Sequence, residues 1–253
     1  MKYTFGDTMT ANERLKKIAE FFNPLASRFI LENIHSNVNS ALDLGCGPGY
    51  TTDMLANSTC ANIITGIDFS DKFLDSARRN YPDYKFINHD VRSVPLPVKA
   101  DIIYFRFLLS HLKDIRLLIE GWLRTLNPGG FLVLDELENI YTDNEVFKKY
   151  LSINDGLINS QGANLYVGKI LDKELEGMNL FRNVSTLIPV KDFQAASWFF
   201  PNTISVWEDQ DWVKKALDES ERKRISKELL EIIEQKSEKS SITWRMRKII
   251  IQQ

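Results

Sequence analysis

Three glycines at alternate positions, Gly45, Gly47 and Gly49, directly follow the apolar run Ala41-Leu42-Asp43-Leu44. Gly45 and Gly47 remove the side chains that would hold a bulky ligand away from the backbone, and Gly49 permits a tight entry into the helix expected from Thr51 onward. A strand that ends in such a turn ends against a nucleotide. The dinucleotide fingerprint is G-x-G-x-x-G; here the third glycine comes one residue early and Tyr50 stands where that fingerprint has glycine. The spacing therefore argues against a pyrophosphate. Asp68 closes the run Asn62 to Phe69 roughly 20 residues beyond the first glycine, where a βαβ unit carries its ribose-binding acid. Its two oxygens suit adjacent 2′ and 3′ hydroxyls; the alternative is that it helps cap the helix beginning near Asp71. Phe69, next to it, offers an aromatic face for stacking on a base.

Positioning these groups takes a repeating set of elements. A second strand leads to Asp68, a third (Tyr84 to Val91) to Asp90, a fourth (Ala100 to Arg106) to Arg106 and then His111. A fifth, Phe131 to Glu136, follows the turn Asn127-Pro128-Gly129-Gly130. Between the fourth and fifth, Ile115, Leu118, Ile119, Trp122, Leu123 and Leu126 recur at helical spacing and give one apolar face to pack on a sheet. This β-α-β order predicts an α/β fold, a parallel sheet with helices on both faces, and ligands beyond the carboxyl ends of the strands. Asp68, Asp90 and Arg106 all fall at such ends.

The G-x-G-x-G turn after an apolar strand, the acids at Asp68 and Asp90, and the Asn-Pro-Gly-Gly turn before an apolar strand resemble the class I S-adenosylmethionine-dependent methyltransferases over about Leu42 to Glu136. The resemblance is to the small-molecule branch, which Gln161 to Lys169 also resembles; the opening Tyr3 to Thr8, with Glu13-Arg14-Leu15, is similar to one bacterial subgroup. It implies a Rossmann-like, mostly parallel seven-stranded sheet and S-adenosyl-L-methionine as cofactor. It further implies a cofactor site of Tyr3, Asp43, Gly45, Gly47, Asp68, Phe69, Asp90, Val91 and Arg106. In that site Asp90 accepts a hydrogen bond from the adenine amino group and Val91 supplies backbone contact. Arg106 meets the methionine carboxylate or the adenine, or pairs with a carboxylate such as Asp43. The sulfonium loses its charge during transfer, so an aromatic wall of Tyr3 or Phe5 is compatible with the donor. Alignment of acceptor and methyl group supplies much of the rate of such a displacement. His111, after the fourth strand, is the candidate base, since imidazole ordinarily titrates near neutral pH; a cap or hydrogen-bonding role is the alternative.

At 253 residues with 43% apolar composition the chain can build one large α/β domain with its own core. Its organisation reads as an N-terminal helical cover over 1–40, a cofactor-binding core over 41–136, and helical insertions at 137–180 and 191–241 that form a lid near the substrate. An amphipathic helix is expected over Asn12 to Phe22, a sixth strand around Val184 to Val190 and a seventh around Thr243 to Ile251, the last two antiparallel. Thirty-two basic against 34 acidic residues leave a net charge of −2, which provides no global field for nucleic acid or an anionic membrane. The basic run Trp244 to Lys248 reads as a solvated sheet face. No secretory stretch opens the sequence and no run reaches the roughly 18 to 20 apolar residues of a span, so a cytoplasmic protein is expected. Cys46 and Cys60 lack the spacing of a metal site and read as reduced thiols.

Phe193, Trp198, Phe199, Phe200, Trp207 and Trp212 concentrate in the second insertion. They are material for a pocket that takes a flat or apolar small molecule, for packing of the extra helices, or for a homodimer contact. The expected activity is methyl transfer to an O, N or C atom of a small-molecule acceptor. The alternatives are a NAD(P)-dependent oxidoreductase, disfavoured by the glycine spacing, and a non-methylating protein that kept the fold.

Overall fold

The computed structural model describes residues 6–236 and 238–253; Tyr3 and Phe5 lie outside them. Helix α1 (Met9–Asn33) starts where the Thr8 side chain accepts from Ala11 N and runs 25 residues, with Pro24 inside it. It is longer than the predicted Asn12 to Phe22 segment because its buried positions, Ala11, Arg14, Ala19, Phe22, Ala26 and Ile30, continue the helical period past Phe22. The chain then alternates β1 (Ser40–Leu44), α2 (Tyr50–Thr59), β2 (Ile63–Asp68), α3 (Asp71–Asn80), β3 (Lys85–Asn88), β4 (Ala100–Arg106), α4 (Ile115–Leu123) and β5 (Leu126–Thr142). There follow α5 (Glu145–Ser160), α6 (Leu171–Glu174), β6 (Leu180–Val190), α7 (Asp192–Ser205), α8 (Asp211–Ala216), α9 (Glu219–Gln235) and β7 (Ile242–Gln252).

Seven strands form one sheet in the order β3-β2-β1-β4-β5-β7-β6. All neighbours from β3 to β5 are parallel, and β7 enters antiparallel between β5 and β6. The order reverses between β1 and β4, the switch point where the carboxyl ends of an open α/β sheet leave a crevice. Side chains alternate across the sheet. Leu42, Leu44, Ile103, Phe105, Leu132 and Leu134 pack with Trp122 and Ile119 of α4 on one face; Ala41, Ile102, Tyr104 and Val133 pack with Ala26 and Ile30 of α1 on the other.

Two strand expectations change. β5 does not stop at Glu136: it begins at Leu126, carries the Asn-Pro-Gly-Gly residues as an irregularity between the pairs Ala100↔Leu126 and Ile102↔Phe131, and runs on to Thr142. Its far half is held by β7, which pairs with it as far as Thr142↔Ile242. The run Trp244 to Lys248 is not a solvated face. β7 lies inside the sheet, so Trp244, Met246 and Lys248 are buried while Arg245 and Arg247 take the other face beside Glu138. Lys248 is tolerated there because its Nζ donates to Asp135 Oδ2 at 3.0 Å, an ion pair enclosed on both sides.

Candidate active site

The turn after β1 is built by its glycines. Gly45 has φ +67°, and a Cβ there would stand 2.9 Å from Leu108 Cδ1; Gly49 caps α2 at φ +90°, hemmed by Tyr81 and Ala77. The loop is held from below and from the side. Asp43, buried beneath it, accepts from the hydroxyls of Thr51 (2.6 Å) and Thr52 (2.8 Å) at the start of α2, and its burial pushes its pKa up to about 7. Asp68, at the end of β2, accepts from Gly47 N (2.9 Å) and Ser70 N (2.8 Å), so one carboxylate ties the glycine turn to the start of α3. Capping of α3 itself falls to Ser70, whose side chain accepts from Phe73 N. Burial raises the Asp68 pKa despite these donors.

One cavity of about 280 Å³ opens above this turn. Gly45, Gly47, Asp68, Phe69, Asp90, Val91, Arg106 and His111 all line it. Asp43 does not; it supports the turn from behind. Tyr3 falls outside the described residues. Asp90 lies beyond the end of β3, in the loop, where Arg92 binds its carboxylate through Nε and Nη2 and holds its pKa below the usual range. Val91 O accepts from Trp122 Nε1 at 2.8 Å, which anchors that loop on α4. His89 also lines the cavity, its Nε2 2.8 Å from Ser93 O, a placement its sequence context did not signal. Arg106 donates from Nη2 to Asn23 Oδ1 of α1 at 2.8 Å, while its buried Nη1 has no hydrogen bond among the described residues.

The chain after β4 is strained and pinned. Phe107 sits at φ +55°, and Leu108 N and Leu109 N both donate to Glu136 Oε1, at 2.8 and 2.9 Å. Glu136 is fully buried and its pKa is pushed up to about 8 by that burial. This arrangement aims His111 at the cavity. The imidazole does not titrate near neutrality, however: its burial, with the Arg14 charge nearby, lowers its pKa to about 4. It is a neutral hydrogen-bonding group at pH 7 and a weak proton acceptor.

The opposite half of the cavity is assembled from distant segments: Arg14 and Ile18 of α1, Phe107, Leu137 and Ile140 of β5, Tyr150 and Asn154 of α5, Trp198, Phe199 and Asn202 of α7, and Trp244 of β7. Of the aromatic residues in the second insertion, Trp198 and Phe199 reach the cavity, whereas Trp207 is buried in the packing behind it and stacks on Tyr150 at 5.5 Å. A homodimer face built from these three rings is not available, since all lie inside the protomer. Tyr150, Asn154 and Asn202 went unnoticed in the sequence, where the one usable signal is the i, i+4 spacing of Tyr150 and Asn154 on a helix. Among the described residues no helix is long and apolar enough to cross a membrane, and no cluster of metal-binding side chains occurs.

Comparison with known proteins agrees with this geometry. Residues 42–134 match the family model described as a methyltransferase domain. The trans-aconitate 2-methyltransferase of Delftia acidovorans is 35% identical over 132 residues, which cover 51% of this chain and 46% of that protein. That of Sinorhizobium medicae is 32% identical over 100 residues, covering 40% and 39% respectively. The matches thus span less than half the length of these relatives. Among solved structures, coclaurine N-methyltransferase bound to N-methylheliamine and SAH superposes with a TM-score of 0.56 at 15% identity, over 91% of this chain and 72% of that one. The N-methyltransferase NodS from Bradyrhizobium japonicum gives 0.52 at 13% identity, over 92% and 87%. At such identities the superpositions speak for the fold. Residues 42–134 therefore match a methyltransferase domain, carried on a fold that the chain shares with these solved structures.

Proposed function

We propose that this chain binds S-adenosylmethionine at the glycine turn and transfers its methyl group to an O, N or C atom of a small-molecule acceptor seated in the adjoining chamber. The carrying observation is the Asp68 carboxylate fixed between Gly47 N and Ser70 N at the mouth of a cavity that continues into an aromatic-walled half. Residues 41–136 form the cofactor-binding core, and the segments 137–180 and 191–241 supply much of the acceptor chamber. The reading extends to a cytoplasmic enzyme without a nucleic-acid partner, in keeping with a net charge of −2.

The residues fit the donor. Asp68 keeps acceptor capacity beyond its two amide contacts for the ribose hydroxyls, and Phe69 and Val91 flank the space for adenine, with Asp90 at its edge. Arg106, with Nη1 buried and unbonded among the described residues, meets the need of the methionine carboxylate. Gly47, where a Cβ would have only Leu15 Cδ1 at 3.8 Å, leaves the backbone open to close approach. When bound, S-adenosylmethionine supplies an activated methyl group on a sulfonium, so the chain's own residues have to hold, align and dry the reactants. The aromatic wall excludes water, and the pinned loop 107–111 fixes one side of the acceptor space. With His111 at a pKa of about 4, the acceptor atom must present its lone pair without strong base assistance.

Calorimetric titration with S-adenosylhomocysteine, and separately with NADH, tests this reading. Saturable binding of S-adenosylhomocysteine alone is expected. Binding of NADH alone would move the chain to hydride transfer, and silence with both would remove the donor assignment.

A further inference from the structure

The buried face of α5 is aliphatic or aromatic, with Phe147, Tyr150, Leu151, Leu157 and Ile158, except for one amide, Asn154. A leucine would match its neighbours better, yet the residue is asparagine, only 3% exposed and part of the chamber wall. Its orientation is fixed. Nδ2 donates to Tyr150 O at 2.8 Å, and a carbonyl can only accept, so the amide does not bind the other way round. Oδ1 is thereby directed away from its own helix, where it is enclosed and has no hydrogen bond among the described residues. A buried acceptor in that state has lost its hydration with nothing in exchange. The surroundings are stiff as well. Tyr150 stacks on Phe199 (4.2 Å) and on Trp207 (5.5 Å), and its hydroxyl is engaged by Asn202 Nδ2 at 2.7 Å. Further along the wall Trp198 and Trp244 meet edge-on with centroids 5.7 Å apart, and Phe199 lies nearly parallel to Trp244 at 6.5 Å.

Resting on S-adenosylmethionine as the donor, we propose that the acceptor is an uncharged aromatic molecule bearing an O–H or N–H group, and that Asn154 Oδ1 recognises it by accepting that group's hydrogen bond. The unpartnered oxygen is the reason for the donor group: its neighbours on the wall, Leu137, Ile140 and Leu151, have no proton to offer, so the partner comes from what the chamber binds. A site built to accept from a ligand O–H or N–H also rejects the analogue that lacks it, because the buried oxygen is then left unpaired. Aromaticity follows from the rings of Trp198, Phe199 and Trp244, which together present faces and edges to a flat guest. A carboxylate suits the oxygen badly, since it brings only acceptors. An ion of either sign would in addition give up its hydration for a wall that is largely aromatic and aliphatic. Arg14 and His111 line the same chamber with interactions of their own, and the assignment takes nothing from either.

The proposal is tested by titrating the full chain, saturated with S-adenosylhomocysteine, with two pairs of probes. These are 2-naphthol against naphthalene and indole against benzofuran, the first of each pair carrying a hydrogen-bond donor that the second lacks. Two ions, 2-naphthoate and 2-naphthylmethylammonium, complete the set. 2-Naphthol and indole are expected to bind about tenfold or more tighter than their counterparts, and tighter than either ion. Asn154→Leu should bring each pair to within about twofold while holding S-adenosylhomocysteine affinity within about threefold. Should the leucine variant not fold, Asn154→Ala gives the same comparison, since it too removes Oδ1. No binding of 2-naphthol or indole, equal binding within the pairs, tighter binding of either ion, or a preference that survives loss of the amide overturns the proposal. So does loss of S-adenosylhomocysteine in the variants, which would make Asn154 a donor-side residue. Failure of the unaltered chain to bind S-adenosylhomocysteine at all strikes the donor reading itself, a result distinct from each of these.

Discussion

The two halves of the cavity are built by different means. The half proposed to hold the donor comes from one continuous stretch, in which each strand delivers its terminal residue to the crevice: Gly45 and Gly47 after β1, Asp68 at the end of β2, Asp90 just past β3, Arg106 at the end of β4. The half proposed for the acceptor comes from side chains as far apart as Arg14 and Trp244, brought together by α1, α5, α7 and the far end of β7. The donor half is thus set by topology, because a parallel sheet delivers its strand ends to one edge whatever covers it. The acceptor half depends on how covering helices pack, which varies without disturbing the sheet. Such a division lets the covering half change while the edge of the sheet stays the same.

If that division holds, substitutions should separate the two functions. The largest effect is expected for Asp68→Ala, which removes the anchor of Gly47 N and Ser70 N along with the proposed ribose contact. Affinity for S-adenosylhomocysteine should fall by about two orders of magnitude or more, measured by calorimetry. Retained affinity would dissolve the donor half as drawn.

Glu136 tests the acceptor side through pH. Its folded pKa of about 8 lies above its ordinary value of 4.5, so the folded state holds the proton more tightly. The associated stability is fully present below about pH 4.5 and is lost as pH rises through about 8. Asp43, raised to about 7, acts in the same direction, while His111, lowered to about 4, makes stability rise with pH between about 4 and 6.5. Glu136→Gln keeps an acceptor oxygen for Leu108 N and Leu109 N without the titration. Between pH 5 and 8.5 the variant should lose about 2–4 kcal/mol less stability than the parent, read from urea denaturation at both pH values. Identical pH dependence would show that the carboxyl is not held protonated.

Gly168→Ala should give a smaller change. Its Cβ would stand 2.7 Å from Glu138 Cα and 2.9 Å from Glu138 N, backbone that cannot swing aside. A loss of about 1–3 kcal/mol is expected in thermal unfolding, with S-adenosylhomocysteine affinity kept. Loss of donor binding in step with stability would mean that the halves are not separable.

The same contrast governs what could be read from residues alone. Gly45, Gly47, Asp68 and Asp90 were legible because local spacing fixes both their element and its end, and the β-α-β repeat implied the parallel pairing among β1 to β5 but not the place of β7 between β5 and β6. Tyr150, Asn154 and Asn202 were not, since an asparagine on an amphipathic helix looks the same whether it faces water, a neighbour or a cavity. The run Trp244 to Lys248 was misread for a related reason: its alternation is that of any half-buried strand, and only pairing on both edges, with Asp135 waiting for Lys248, makes it interior. His111 was found by position, but its low pKa depends on burial that no local pattern encodes.

The place of β7 in the sheet has a consequence for biosynthesis. It leaves the ribosome after both β5 and β6 and yet it is inserted between them, pairing with each along nearly its whole length. Contacts so distant in sequence form late. A nascent chain translated as far as β5 already contains the strand ends of the donor half, whereas the wall around Trp244 closes only after β7 has threaded home. During that interval the exposed edge of β5 and the unfilled aromatic cluster are the surfaces a chaperone would meet.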